Sequence, residues 1–171
     1  MGLSAAISAS LAREFLAVSP EGGAELDPRM AVVTGLGTTS PLGGDVASTW
    51  SALRRSQCAV RRLDGSWTQG FELPVMIAAP LAADPAQQLS PKELRRLDRA
   101  SQCALLAARE AWTQAGTPEV ADERLAVSVS PGMGPVLSVM DAWDALRERG
   151  PRRVAPTAIP ALMPNAPAAS I

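Results

Sequence analysis

The chain of 171 residues is 47% apolar and 19% charged, which suits one globular domain with a real core and argues against disorder. Its 16 Lys and Arg stand against 17 Asp and Glu, so a net charge of -1 supplies no overall field for nucleic acid or an anionic membrane. Histidine is absent, which excludes within this polypeptide Ser-His-Asp and Cys-His arrangements, His-ligated metals and imidazole general bases.

In chain order, residues 1–29 are rich in Ala, Ser and Glu, with a weakly amphipathic stretch over residues 11–18 and a closing run of turn formers, "SPEGGAELDP". They read as a flexible N-terminal extension, and Met30, just before the first strand, offers an alternative start. Residues 31–36 form a short run rich in Val and Thr, ended by Gly35 and Gly37, and predict a buried strand. A glycine-rich loop through Gly44 leads to Asp45, a natural N-cap, after which Val46, Trp50 and Leu53 keep helical spacing up to Arg55. Beyond a basic, irregular stretch near Arg61 and Arg62, residues 72–80 predict a further strand.

Residues 90–116 carry the clearest pattern. Ser90 as N-cap, Pro91 at the first helical position and Glu93 three residues on make a capping box, and Gly116 stands where a left-handed C-terminal cap belongs. Leu94, Leu97, Ala104, Ala108, Ala111 and Trp112 share one face, whose alanines imply close approach to another element. One central, buried helix is expected. Residues 125–129 read as another strand, Ser130 to Gly134 as a tight turn, and residues 135–149 as a helix. Five prolines between Pro151 and Pro167 predict an extended, irregular course for the last stretch. Strands alternating with helices indicate an α/β layered fold with a partly parallel sheet.

Two cysteines, Cys58 and Cys103, without CxxC spacing, indicate neither a disulfide framework nor a zinc site, and a reduced cytoplasmic setting fits them. Both read as small buried hydrophobes rather than nucleophiles. No apolar run approaches the roughly 18 residues of a membrane span, and no basic segment precedes an apolar one at the N-terminus.

The stretch "AVVTGLGTTSPLGG" invites a nucleotide-binding reading and fails it. In G-x-G-x-x-G the third glycine lets the helix pack on the strand, but here Ser40 holds that place. A P-loop needs Gly-Lys-Ser/Thr, and no Lys is near. Pro41 removes a backbone N–H where a phosphate cradle would use one. The glycines read instead as a structural turn, permitting positive φ and close backbone packing.

"VVTGLGTTSPLGGDVASTWSALRRSQCAVRRLD" resembles the opening of the elongating β-ketoacyl-acyl-carrier-protein synthases, where a V-V-T-G-x-G-x-x-[ST]-P-L-G strand and turn precede a helix with a similarly placed Trp. Three later blocks keep the family order: "LSPKELRRLDRASQCALLAAREAWTQAG", a strand with a G-x-G turn at Gly132 to Gly134, and "GPRRVAPTAIPALMPNAPAA". The "LMPN" ending is most similar to the mycolic-acid-elongating branch of actinobacteria. The resemblance runs from about Met30 to Ile171.

It implies an incomplete N-terminal part of a thiolase-like fold, whose complete form has αβαβα layers and works as a dimer. The family condenses an acyl chain, held on a Cys, with malonyl-carrier protein, using two histidines and a lysine. Its nucleophile lies downstream of the stretch corresponding to "PNAPAASI". Residues 30–171 are therefore expected to be a synthase N-terminal domain truncated before the nucleophile, with no catalytic residue, metal or cofactor assigned. Two alternatives stand beside it: a non-catalytic partner like the chain-length factors, or one half of a split synthase.

By the same resemblance Met133, the middle of the G-x-G turn, falls at the acyl pocket, with ordinary core filler as its other reading. Arg95, Arg96 and Arg99 are candidates for contact with an acidic carrier protein, or else a solvated helix face. Acyl carrier protein and a full-length or complementary synthase chain are the implied partners. Alone, the chain is expected to expose apolar edges and to aggregate or fold only in part.

Overall fold

The structure is a computed structural model and describes residues 31–63 and 73–171. The expected N-terminal extension at 1–29, the alternative start at Met30 and the first residue of the strand expected over 72–80 lie outside the described residues.

Helix α1 spans Val46–Arg54. The Asp45 carboxylate caps it, accepting from the Ser48 N–H at 2.7 Å and the Ser48 hydroxyl at 2.6 Å. These hydrogen bonds, the hydroxyl's first, hold the Asp45 carboxyl below its ordinary range. The basic stretch is not irregular: β1 (Arg61–Arg62) pairs antiparallel with β2 (Ile77–Ala78), Arg61 opposite Ala78 and Arg62 opposite Ile77.

The helix expected over 90–116 is two. Helix α2 covers Pro91–Arg96 and α3 covers Arg99–Gln114. Leu97 between them is extended, at φ -103° and ψ 131°, and Asp98 starts the second helix, its carboxylate accepting from the Ala100 and Ser101 N–H groups at 3.0 and 3.1 Å. An Asp side chain competes with the backbone for those N–H groups, so it favours a helix start over a helix interior. Gly116 adopts the left-handed conformation expected of it (φ 86°). Its N–H donates to the Thr113 carbonyl and that of Thr117 to the Trp112 carbonyl, the paired bonds of a Schellman ending.

Helix α4 spans Val136–Arg149, α5 Ala158–Leu162 and α6 Ala166–Ala169, with a 3-10 turn at Pro151–Arg153. The proline-rich end is thus helical in short pieces rather than irregular. Pro151, Pro160 and Pro167 all lie in first turns, where the missing N–H has no intrahelical partner to lose.

The core sits where α3 packs against α6: Ser101, Ala104, Leu105 and Ala107 are buried on one helix and Pro167 on the other. Trp112, expected on that buried face, is 37% exposed. Helix α4 packs instead against α5 and the 3-10 turn before it. Residues 31–36 and 125–129, expected as strands, make no ladder among the described residues, and Val32, Val33, Leu125 and Val127 are exposed. Val-rich composition favours a strand only where a second strand supplies the hydrogen bonds.

Candidate functional site

The glycine-rich turn lies directly on α3. A Cβ on Gly35 would stand 1.9 Å from the Ala111 carbonyl oxygen, and one on Gly37 1.7 Å from that of Ala107. Glycines two apart in the turn meet alanines four apart on the helix, so backbone touches backbone. That is the close approach implied by the alanine-rich face.

Side chains one helical step away tie the turn down. One oxygen of the Glu110 carboxylate accepts from the Thr38 N–H at 2.9 Å, and the other from the Val46 N–H at 2.8 Å, the first helical residue of α1. Gln114 Oε1 accepts from the Leu36 N–H at 2.6 Å, and the Thr39 hydroxyl donates to the Cys103 carbonyl at 3.4 Å. Within the turn, the buried Ser40 hydroxyl oxygen accepts from the Leu42 and Gly43 N–H groups, both at 3.1 Å, and shares a 2.8 Å hydrogen bond with Thr49. A helix N-terminus attracts an anion. Here the anion is the chain's own Glu110, so a phosphate would find these donors occupied. The turn binds the helix behind it rather than a nucleotide.

Two shallow grooves flank this scaffold. One, of about 460 Å³, is lined by Gln88, Leu106, Arg109, Glu110, Thr113 and Gln114. The other, of about 360 Å³, is lined by Ala47, Trp50, Ser51, Arg54 and Arg55. No cysteine lines either groove, and the Glu110 carboxylate of the first is engaged by the Thr38 and Val46 N–H groups rather than by the Thr113 hydroxyl. Cys103 is half-buried on α3 and burial pushes its thiol up, away from the thiolate form. Cys58, expected to be buried, is exposed in the loop after α1. Among the described residues no group of three Cys, Asp or Glu could hold a metal.

The other residues singled out do not converge. Met133 is 81% exposed in the turn before α4 and lines neither groove. Arg95 and Arg96 are exposed on the last turn of α2, while Arg99 begins α3 and pairs with Asp84 at 2.7 Å. The break at Leu97 thus divides the basic run between two helices.

The capping box at Ser90 and Glu93 forms as the sequence requires: the Glu93 N–H donates to Ser90 Oγ at 3.3 Å and the Ser90 N–H to Glu93 Oε2 at 2.8 Å. Arg109 of α3 also donates to Glu93, joining the two helices. The Ser90 hydroxyl above all, then its N–H and then Arg109, push the Glu93 carboxyl down to about 2 from 4.5. Because this pKa is depressed on folding, the stabilisation is full above pH 4.5 and fades as pH falls through about 2. Far-UV circular dichroism between those limits is expected to show helix loss that Glu93→Gln brings to higher pH; coincident curves would count against the link.

Sequence reasoning overlooked Glu110 and Gln114. The available signal was their placement beside Ala107 and Ala111, the face that the glycines meet.

Solved structures define the class. A β-ketoacyl synthase from Burkholderia phymatum STM815 aligns with a TM-score of 0.57 at 25% identity, covering 81% of this chain and 35% of that one. The ishigamide ketosynthase/chain length factor aligns with a TM-score of 0.59 at 23% identity, over 80% of this chain and 34% of that one, a likeness of fold. So does a type II polyketide ketosynthase solved in complex with its acyl-carrier protein, with a TM-score of 0.58 at 20% identity, over 81% of this chain and 37% of that one. The described residues are thus a partial, helix-rich α/β piece of the thiolase-like fold of ketosynthases.

The chain belongs to the β-ketoacyl synthase family, whose N-terminal domain matches residues 29–171. The 3-oxoacyl-[acyl-carrier-protein] synthase 2 of Mycobacterium leprae (strain TN) is 36% identical over 140 residues, 82% of this chain and 33% of that protein. The synthase of the same name from Coxiella burnetii (strain RSA 493 / Nine Mile phase I) is 34% identical over 143 residues. The chain spans about one third of the length of these curated relatives. Among the described residues no helix is long and apolar enough to cross a membrane.

Proposed function

We propose that the chain is the N-terminal part of a β-ketoacyl-acyl-carrier-protein synthase of fatty-acid or mycolic-acid elongation, and that by itself it does not catalyse the condensation. The observation that carries this reading is chemical. The 171 residues hold no histidine, and of the two thiols Cys103 is kept protonated by burial while Cys58 lies exposed in a loop. Decarboxylative condensation needs a thiolate to carry the acyl group and donors that stabilise the developing enolate and oxyanion. Residues outside this sequence, in the same protein or on a complementary synthase chain, supply them.

The chain's own contribution is the scaffold of turn, α1 and α3, and a surface for the carrier protein in the cytoplasm. Arg95 and Arg96 present two guanidinium groups with no acidic partner among the described residues, the chemistry that an acidic carrier protein recognises. Arg99, engaged by Asp84, contributes less. Met133, exposed and adaptable, reaches the acyl pocket that the remaining chain completes.

The test is malonyl-dependent condensation with acyl- and malonyl-carrier protein. The 171-residue chain alone is expected to release no ketoacyl product, and product formation by it would overturn the reading. Addition of a polypeptide bearing the nucleophilic Cys and the two histidines of a related synthase is expected to yield product. Co-purification with an intact synthase whose turnover does not need this chain would favour the partner role instead.

A further inference from the structure

Four arginines lie in succession at the end of α1 and on β1: Arg54, Arg55, Arg61 and Arg62, all exposed. Residues 46–63 include no Asp or Glu. Among the described residues none of the four has an acidic partner, whereas Arg99 and Arg109 are paired with Asp84 and Glu93. The Arg55 guanidinium donates only to neutral oxygens, Ser51 Oγ at 2.5 Å and Gln57 Oε1 at 3.5 Å. No carboxylate among the described residues compensates its charge.

The four lie within one segment of nine residues, Arg54 to Arg62. Ser56 adopts a left-handed conformation (φ 53°), and the N–H groups of Ser56 and Gln57 return to the Leu53 and Ala52 carbonyls, which ends the helix just past Arg55. The six residue steps from Arg55 to Arg61 span at most about 20 Å, the length of roughly 14 residues of helix. Arg54 and Arg55 also line the groove of about 360 Å³ beside Trp50.

We propose that Arg54, Arg55, Arg61 and Arg62 form a docking strip for a carboxylate-bearing face of a partner protein. This surface is additional to Arg95 and Arg96 on α2 and does not depend on their reading as a carrier-protein contact. Guanidinium forks match carboxylates in bidentate geometry, and the strip has the reach of one acidic helix. An extended polyanion such as nucleic acid is disfavoured by the rest of the surface. With these four set aside, the chain's 16 cationic side chains fall to 12 against 17 acidic ones. A compact acidic face meets the strip without lying along that negative remainder.

The experiment measures fluorescence anisotropy of a labelled poly-L-glutamate peptide titrated with the full chain, beside a single-stranded DNA oligonucleotide of equal charge. Replacing all four arginines by Ser is expected to weaken peptide binding about tenfold or more, each pair (Arg54→Ser with Arg55→Ser, Arg61→Ser with Arg62→Ser) by an intermediate factor, and added salt to weaken the wild type. Arg152→Ser with Arg153→Ser, exposed on the 3-10 turn after α4, is expected to change it by less than about threefold. Circular dichroism confirms that the variants keep the wild-type fold, and the pairs carry the test should the fourfold variant lose it. Absence of peptide binding by the wild type, unchanged binding by the strip variants, or DNA bound as tightly as the peptide would overturn the proposal.

Discussion

Gly37→Ala is expected to lower the free energy of unfolding by about 3 kcal/mol, at the upper end of what overpacking costs. The added Cβ would stand 1.7 Å from the Ala107 carbonyl oxygen, 2.6 Å from its carbon and 3.0 Å from the Ala111 nitrogen. All three are backbone atoms of α3, so no side chain can rotate away, and relief requires lifting the turn from the helix. Gly35→Ala meets Ala111 in the same manner at 1.9 Å. Neither glycine is among those with positive φ, so the penalty is steric. Where space is free and φ is ordinary, Gly→Ala stabilises by about 0.4–1 kcal/mol through the unfolded chain. Gly132 has nothing within 4 Å of its added Cβ and an ordinary φ, so Gly132→Ala supplies that contrast in sign. Urea titration followed by tryptophan fluorescence reads all three, and a loss below about 1 kcal/mol for Gly37→Ala would show that the turn does not rest on α3 as described.

The same contrast explains how much of the molecule was legible beforehand. Features set by neighbours in sequence came through: the Asp45 cap, the Ser90 and Glu93 capping box and the left-handed Gly116 depend on bonds spanning three to five positions. That α3 is closely approached was also readable, because absent side chains are themselves the signal, but neither the glycines as what approaches it nor Ala107 as part of that face was. Asp98 was misjudged because its apolar neighbours continue the helical period, and only its buried carboxylate, bonded to two N–H groups, interrupts the helix. Residues 31–36 and 125–129 were misjudged for the opposite reason. Their composition suits a strand, but a strand is a pairing, and pairing depends on a distant segment. Of the candidate site, the rejection of a phosphate cradle was legible from Ser40 and Pro41, whereas the group that takes the anion's place was not. Glu110 lies 72 residues from Thr38 and 64 from Val46, a separation that no local pattern encodes.

Glu110→Ala tests that substitution of a carboxylate for an external anion. The variant leaves the Thr38 and Val46 N–H groups without their charged acceptor. A hydrogen bond to a charged group contributes about 1.5–3 kcal/mol, and Val46, at a helix start, regains some hydration, so a loss of about 2–4 kcal/mol is expected. Glu110→Gln keeps one acceptor oxygen but turns an amide NH2 toward the second donor, which places its stability between wild type and Ala. The removed carboxylate also empties the position where the N-terminus of α1 and the glycine turn direct two donors. Inorganic phosphate is therefore expected to raise the urea midpoint of Glu110→Ala relative to chloride of equal ionic strength, and to leave the wild type unaffected. Equal responses in both proteins would show that the donors are not converging on one anion position. A selective response in the variant would show that this turn retains the geometry of a cradle, and that Glu110 is what closes it.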